Sequence, residues 1–283
     1  LGNQCGIAID NILLHQQALE KERLQEELNL AKRIQQKLLP EESPRIEGYD
    51  LHGWTLPCSE TGGDYFDYLT FKGGKWGMVV GDVSGHGVGA ALIMATARSA
   101  LRTLILEEND LSKVMTSLNK VVQQDVEIDH FMTMFLMQFD PKTGIIHYVN
   151  AGHGGPLLLR NQMGVVEELQ AGGYPLGMVS DNVFDIKTTA PMAEGDILAL
   201  MTDGVWEVAG EKQQELGRPA IKEMMKKFSH LASRQLVQKI YQEVRAYAGR
   251  PALDDDLTMV VLRRGKERAY LGGVRLLPPL PPR

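Results

Sequence analysis

Four short segments of the sequence place an aspartate beside a glycine or next to an apolar run. They are residues 62–64 (GGD), 81–87 (GDVSGHG), 202–204 (TDG) and 254–258 (DDDLT). A single segment of this kind is typical of a turn, because Asp and Gly both tolerate the backbone conformations that turns require. Three consecutive aspartates are typical of a solvated loop or a helix N-cap. The chemistry therefore depends on whether the four segments meet.

Two apolar runs indicate that they do meet. Residues 76–80 and 197–201 have the composition of strands, and they bring Asp82 and Asp203 to their C-terminal ends. We expect the carboxylates of Asp64, Asp82, Asp203 and Asp255 to gather at one sheet edge. Two unit charges about 4 Å apart repel by about 4 kcal/mol at an effective dielectric constant of about 20, so this cluster requires cations. Oxygen ligands without paired His or Cys favour Mg2+ or Mn2+ over Zn2+.

Two divalent cations would neutralise the four aspartates, activate water and attract a phosphate dianion. The sequence thus predicts hydrolysis of a phosphate ester. The glycines of these segments would allow the backbone to approach the ions closely. His86, in the turn after Asp82, could protonate a leaving serine alkoxide. The interpretation that we favour from the residues alone is a helix-entry histidine near the metal ligands but outside them.

Three further residues could serve either chemistry or structure. His153, in the NAGH segment at 150–153, is expected to be a hydrogen-bonded structural histidine. Arg98 and Arg102 lie four residues apart on a predicted helix, so they could present two guanidinium groups to phosphate. The interpretation that we favour is a solvated helix face.

The elements that must position these residues do not follow a strict strand-helix alternation. Short apolar or alternating runs predict eight strands, and apolar side chains at three- and four-residue spacing predict four helices. The predicted strands are 50–56, 64–70, 76–82, 132–139, 145–150, 156–160, 196–202 and 257–262. The predicted helices are 87–107, 110–126, 219–229 and 232–248. This order favours an α+β fold in which helices cover antiparallel sheets.

The N-terminal segment is predicted to be one long helix. Residues 7–39 contain no glycine or proline and are rich in Leu, Gln, Glu and Lys. The heptad-like positions are Leu14, Gln17, Lys21, Leu24, Leu28, Ala31, Gln35 and Leu38. We interpret the helix as a dimerising coiled coil or signalling linker, and the alternative is an amphipathic helix packed on its own domain. Pro40 and Pro44 end it.

A boundary near residue 41 divides the chain into a helical linker (1–41), a globular domain (42–264) and a proline-rich tail (265–283). The tail is expected to be disordered or polyproline-like.

The composition excludes several classes of protein. The formal net charge is -6 and no basic stripe is visible, which argues against nucleic-acid binding. Cys5 and Cys58 lie far apart without a zinc or disulfide pattern, so we expect inert thiols in a reducing cytoplasm. No run approaches the roughly 20 apolar residues of a membrane-spanning helix, and the N-terminus lacks the pattern of a signal peptide.

Seven motifs occur in order between about residues 30 and 263. They are AKRIQQKLLP at 31–40, GGDYFD at 62–67, GDVSGHGVGAAL at 81–92, NAGH at 150–153, PLGM at 175–178, TDGVWE at 202–207 and DDLT at 255–258. Together they resemble the PPM-type metal-dependent serine/threonine phosphatases, and specifically the SpoIIE/RsbU-like bacterial branch. The resemblance implies a four-layer α-β-β-α sandwich of two antiparallel sheets that holds two divalent cations, Mn2+ or Mg2+.

The resemblance also implies roles for individual residues. Asp82 matches the aspartate that bridges both ions, and the Val83 backbone carbonyl matches a ligand of one of them. Asp64 matches a ligand of the second ion, whereas Asp203 and Asp255 match ligands of the first.

The implied roles do not cover Asp256 or residues 56–61. Asp256 falls just after the last matched ligand and has no implied role. The larger eukaryotic members hold phosphate with an arginine upstream of the first metal aspartate, and residues 56–61 contain none. Weak turnover of small phosphoesters is therefore expected.

The implied activity is removal of phosphate from serine or threonine of a regulatory protein, such as an anti-sigma-factor antagonist in bacterial partner switching. The implied partners are that phosphoprotein, a second copy bound through the N-terminal helix, and an upstream sensory domain. The rival hypothesis is a pseudophosphatase that binds its phosphoprotein without turnover. A two-metal nuclease or nucleotidyl cyclase is disfavoured, because neither a basic face nor a P-loop is visible.

Overall fold

The computed structural model describes residues 2–126, 130–170, 172–211, 213–250 and 253–265, with side chains from residue 11 onward. In this part of the chain the strands are β1 (Tyr49–Leu56), β2 (Tyr65–Phe71), β3 (Lys75–Val83), β4 (Met132–Phe139), β5 (Ile146–Ala151), β6 (Leu157–Arg160), β7 (Val165–Glu168), β8 (Lys187–Thr188), β9 (Ile197–Met201) and β10 (Leu257–Arg264). They form two five-stranded sheets with the orders β1-β10-β9-β6-β7 and β2-β3-β4-β5-β8. All strand pairs are antiparallel.

Helices cover the outer face of each sheet. The α-helices are α1 (Gly2–Leu38), α2 (Val88–Glu107), α3 (Leu111–Asp125), α4 (Arg218–Lys227) and α5 (Ser233–Ala248). Apolar side chains of α2 and α3 pack on the second sheet, and those of α4 and α5 pack on the first. A third apolar cluster fills the space between the sheets. This is the four-layer α-β-β-α sandwich expected from the sequence, preceded by the long N-terminal helix.

Strand β3 shows how a core strand brings a carboxylate to the sheet edge. Val79 packs under α2 and α3, whereas Met78 and Val80 lie between the sheets, and all three are fully buried. Because successive side chains point to opposite faces of a sheet, a strand buried on both faces is apolar throughout. The apolar run ends at Gly81, and Asp82 follows at the end of the strand.

The eight predicted strands and four predicted core helices are confirmed, with each end within two residues of the observed one. The strands β7 and β8 were not predicted. β7 has the sequence VVEE and is mostly exposed, and β8 has two residues. Neither strand is buried enough to require a run of apolar side chains, so neither leaves an apolar pattern in the sequence.

The domain covers helix α1 to different extents along its length, and the coiled-coil interpretation of its outer part stays a prediction. Near its end, Leu28, Ala31, Gln35 and Leu38 are partly or fully covered, so this part of the predicted stripe packs on the domain. Further out, Leu14 is 62% exposed. The predicted boundary near residue 41 stays a prediction, and residues 266–283 of the predicted tail lie outside the described residues.

Helix α2 is long and apolar enough to cross a membrane by length and composition alone, contrary to the expectation that no run approaches this limit. Its buried side chains, among them Met94, Ala97 and Leu101, pack on the second sheet. The same helix carries Arg98 and Arg102. These features are typical of a helix that covers a sheet in a globular domain.

Candidate active site

The four predicted aspartates lie at one end of the sandwich, where the two sheets meet. Asp82 is the penultimate residue of β3, and Asp64 directly precedes β2 in the same sheet. In the other sheet, Asp203 follows β9 and Asp255 precedes β10. Each sheet therefore contributes two carboxylates.

Thr202 connects the pair of carboxylates on one sheet to the pair on the other. Its buried hydroxyl donates to Asp64 Oδ2 (2.8 Å) and accepts the backbone N–H of Thr258 (3.0 Å). The backbone N–H of Thr202 in turn donates to the carbonyl of Thr258 (3.1 Å). One side chain thus fixes a carboxylate of the second sheet against the first sheet.

The carboxylates are close enough to oppose one another's ionisation. Burial, followed by the charges of Asp82 and Asp256, raises the pKa of Asp64 well above its usual value. Burial, followed by the charges of Asp203, Asp255 and Asp256, raises the pKa of Asp82 to about 8. The pKa of Asp255 is also raised, first by burial. Positive charge at this point would stabilise the ionised carboxylates.

The donor set fits hard divalent cations, since it consists mainly of carboxylate oxygens. The backbone is also shaped for close approach, because a Cβ at Gly63 would come within 2.7 Å of the Val83 carbonyl oxygen. The structure thus brings together the predicted carboxylates and places Val83 beside the Asp64 segment. Their assignment as metal ligands stays a prediction.

His86 lies on the exposed turn that leads from β3 into α2. It is near enough to Asp255 for its charge to lower the pKa of that carboxyl. The ring is accessible to a substrate, and its catalytic role stays a prediction.

His153 is a structural residue, as predicted. Its Nδ1 accepts the Thr133 hydroxyl (2.9 Å), and its Nε2–H donates to the Met201 carbonyl (3.0 Å). Burial lowers the pKa of His153 to about 4, which keeps the ring neutral at pH 7. Because Thr133 lies on β4 and Met201 on β9, the ring of His153 connects the two sheets. The contact with β9 is at Met201, two residues before Asp203.

The prediction of a solvated face holds for Arg102, which is exposed, but not for Arg98, whose side chain is largely covered. Arg102 donates two hydrogen bonds to the Asp67 carboxylate (2.6 and 2.7 Å), and Arg98 Nε lies 3.9 Å from the same group. Asp67 is fully buried and also accepts the Tyr65 hydroxyl. Burying a carboxylate is costly unless it is hydrogen-bonded or paired with a cation. Both guanidinium groups therefore approach Asp67, although the Arg102 side chain is still 46% exposed to solvent.

Sequence reasoning missed two residues that hold the Asp64 segment. Asp256 is buried, and its carboxylate accepts the backbone N–H groups of Cys58 (2.8 Å) and Asp64 (3.4 Å). Gln35 of α1 is buried, donates to the Gly62 carbonyl (2.6 Å) and accepts the Gly62 N–H (3.1 Å). The signal for Gln35 is a polar residue at an apolar heptad position. Nothing in a run of three aspartates distinguishes the buried one.

Cys58 lies beside the carboxylates, with its sulfur and oxygens of Asp255 and Asp256 all within 4.8 Å of one another. Burial, followed by the charge of Asp256, raises the pKa of Cys58 to about 12. The thiol is therefore protonated near neutral pH beside the metal-free carboxylates, and the inert character of the thiol stays a prediction.

Comparison with known proteins identifies the family. A family model for stage II sporulation protein E (SpoIIE) matches residues 72–265. The phosphoserine phosphatase RsbU of Bacillus subtilis (strain 168) is 29% identical over 245 residues, which cover 86% of this chain and 72% of RsbU. The phosphoserine phosphatase RsbP of the same organism is 31% identical over 186 residues, which cover 64% of this chain and 45% of RsbP.

The fold is also found in a solved structure. The SiaA-PP2C domain of Pseudomonas aeruginosa superposes with a TM-score of 0.76 at 21% sequence identity, and the match covers 87% of this chain and 98% of that domain. The chain belongs to the SpoIIE family of PP2C-type protein serine/threonine phosphatases.

Proposed function

We propose that this chain hydrolyses phosphoserine or phosphothreonine on a regulatory protein with two divalent cations, Mn2+ or Mg2+. The proposed ligands are Asp64, Asp82, Val83 (through its carbonyl), Asp203 and Asp255. The observation that carries the proposal is the convergence of these carboxylates from both sheets, where burial and neighbouring carboxylates raise the pKa values of Asp64, Asp82 and Asp255. Bound divalent cations would supply activated water and positive charge for a phosphate dianion.

We assign His86 the role of proton donor to the leaving serine oxygen. Its exposed position beside Asp255 supports this role, since a donor must reach the substrate and the metal ligands together. A cavity of about 150 Å³ adjoins Asp255 and is also lined by Gly204 and Glu207. It offers an approach to the carboxylates from solvent.

Hydrolysis of a phosphoserine peptide and of p-nitrophenyl phosphate by the purified chain, with Mn2+, Mg2+ or EDTA, tests the activity. We expect metal-dependent turnover that falls to the EDTA level in Asp82→Ala and is retained in Asp254→Asn, an exposed neighbour of the site. Activity retained in Asp82→Ala would contradict the proposal. Phosphopeptide binding without turnover in any metal would favour the pseudophosphatase.

The same assay tests His86. An aryl phosphate has a good leaving group and needs no proton donor, whereas serine does. We therefore expect His86→Gln to lose much more activity on the phosphoserine peptide than on p-nitrophenyl phosphate. An equal loss on both substrates would indicate a structural role.

The resemblance to the RsbU-like branch supports a phosphorylated anti-sigma-factor antagonist as substrate in the cytoplasm. Because residues 56–61 contain no phosphate-binding arginine, we expect the folded surface of such a protein to provide much of the binding energy. kcat/KM for the phosphoprotein should then exceed that for a peptide carrying the same phosphoserine. Equal values would argue against recognition of a folded partner.

We further propose that α1 pairs two copies of the chain and links them to a sensory domain. The exposed apolar side chains of α1, including Leu14 and Leu24, support pairing. Light scattering should show a dimer that is lost when both are changed to Glu, but retained in Met163→Glu, an equally exposed apolar residue elsewhere. A monomeric wild-type chain would contradict the pairing.

A further inference from the structure

Asp256 is a buried carboxylate that binds the segment in front of β2. It is 3% exposed, and its two oxygens accept the N–H groups of Cys58 and Asp64. Both of these donors are backbone groups, so neither hydrogen bond brings a positively charged side chain to the carboxylate. Burying an unpaired carboxylate is costly, so its retention here requires compensation from backbone donors and from nearby positive charge.

Two glycines show how closely the chain packs around Asp256. A Cβ at Gly62 would overlap Asp256 Oδ2, and a Cβ at Gly204 would overlap the Asp256 carbonyl oxygen. Gly62 lies two residues before Asp64, and Gly204 directly follows Asp203. Asp256 is therefore held between a segment that carries a carboxylate of one sheet and a segment that carries a carboxylate of the other.

We propose that Asp256 is a positioning residue for the divalent cations, which sets the position of Asp64 and adds negative charge beside the site. It acts through the N–H of Asp64 and through the loop at Cys58, and it is not one of the proposed ligands. The inference rests on the proposed metal-dependent function. Residues that orient metal ligands typically change metal affinity by about 10- to 100-fold when substituted.

Isothermal titration of the full chain with Mn2+ tests the proposal by comparing Asp256→Asn with Asp254→Asn. Both substitutions remove one charge from the same run, but Asp254 is exposed and forms its ion pair with Arg250. We expect the Kd for Mn2+ to rise about 10-fold or more in Asp256→Asn and to stay at the wild-type value in Asp254→Asn. At saturating Mn2+, kcat of Asp256→Asn should return to near the wild-type value. The substitution should therefore raise the Mn2+ concentration that activity requires and leave the maximal rate unchanged.

Gly62→Ala provides a second variant that keeps every charge and displaces the Asp256 side chain by contact. We expect the same loss of Mn2+ affinity, and this variant decides the question if Asp256→Asn does not fold. Hydrogen-deuterium exchange should become faster across residues 57–65 in both variants, because Asp256→Asn keeps only one acceptor oxygen for the Cys58 and Asp64 N–H groups and Gly62→Ala displaces both oxygens.

Folded variants with wild-type Kd and wild-type exchange would overturn the positioning role and leave the proposed function intact. A wild-type chain that binds no Mn2+ would overturn both. Weakened binding equal in Asp256→Asn and Asp254→Asn, without a change in exchange, would show a general effect of charge and would also overturn the positioning role.

Discussion

At the scale of single residues, the protein treats two sets of buried carboxylates differently. The negative charge of the Asp67 carboxylate is balanced by the guanidinium groups of Arg102 and Arg98 of the same chain. Asp64 and Asp82 receive hydrogen bonds but no such cation among the described residues, and their pKa values are raised. The negative charge around Asp64 and Asp82 is therefore only partly balanced by the protein. A site of this kind favours the binding of divalent cations.

His153 gives a prediction at the same scale. Burial lowers its pKa from 6.5 to about 4 in the folded protein. Between these pH values the unfolded chain binds the proton and the folded chain does not, so the free energy of unfolding falls as the pH falls through this range. We expect the melting temperature of the wild type to drop more between pH 7 and pH 5 than that of His153→Gln, measured in the same buffer and metal. Parallel curves for the two proteins would contradict this assignment.

At the scale of elements, the Gln35 side chain joins α1 to the site. Gln35 bonds both polar groups of the Gly62 backbone, two residues before Asp64. A displacement of the helix would therefore act directly on the segment that carries a proposed metal ligand. This contact gives the proposed signalling role of α1 a physical basis.

Gln35→Ala should leave the buried N–H and carbonyl of Gly62 without partners. An unsatisfied buried polar group costs about 1 to 3 kcal/mol, so urea denaturation should show a loss of this order. Gln36→Ala, on the exposed side of the same helix turn, is the control and should change stability little. We also expect weaker Mn2+ activation in Gln35→Ala alone. Equal stability and activation in the two variants would rule out the coupling.

The elements also show which parts of the structure a sequence can predict. Core strands such as β3 are apolar on both faces, and Asp82 follows such a run, so burial leaves a local pattern. The partners of Arg102, Gln35 and Asp256 lie 27 or more residues away along the chain. Their interactions depend on tertiary packing, and only Gln35 leaves a local signal, as a polar residue at an apolar heptad position. The carboxylate cluster was therefore predictable, whereas the residues that hold it were not.

At the scale of the whole molecule, the site exists only because the two sheets are fixed to each other. Thr202 and His153 each connect one sheet to the other beside the carboxylates. Neither sheet alone holds more than two of the four proposed acidic ligands. Any change that separates the sheets should therefore abolish metal binding before it unfolds either layer.

The most direct test is an anomalous difference map at the manganese edge from crystals of the chain grown with Mn2+. The account predicts two peaks between Asp64, Asp82, Asp203 and Asp255, each at about 2.0 to 2.5 Å from carboxylate oxygens. Both peaks should be absent in crystals of Asp82→Ala grown under the same conditions. A fully ordered wild-type cluster with no peak, or with manganese bound only elsewhere on the surface, would contradict the metal centre on which the proposed phosphatase mechanism depends.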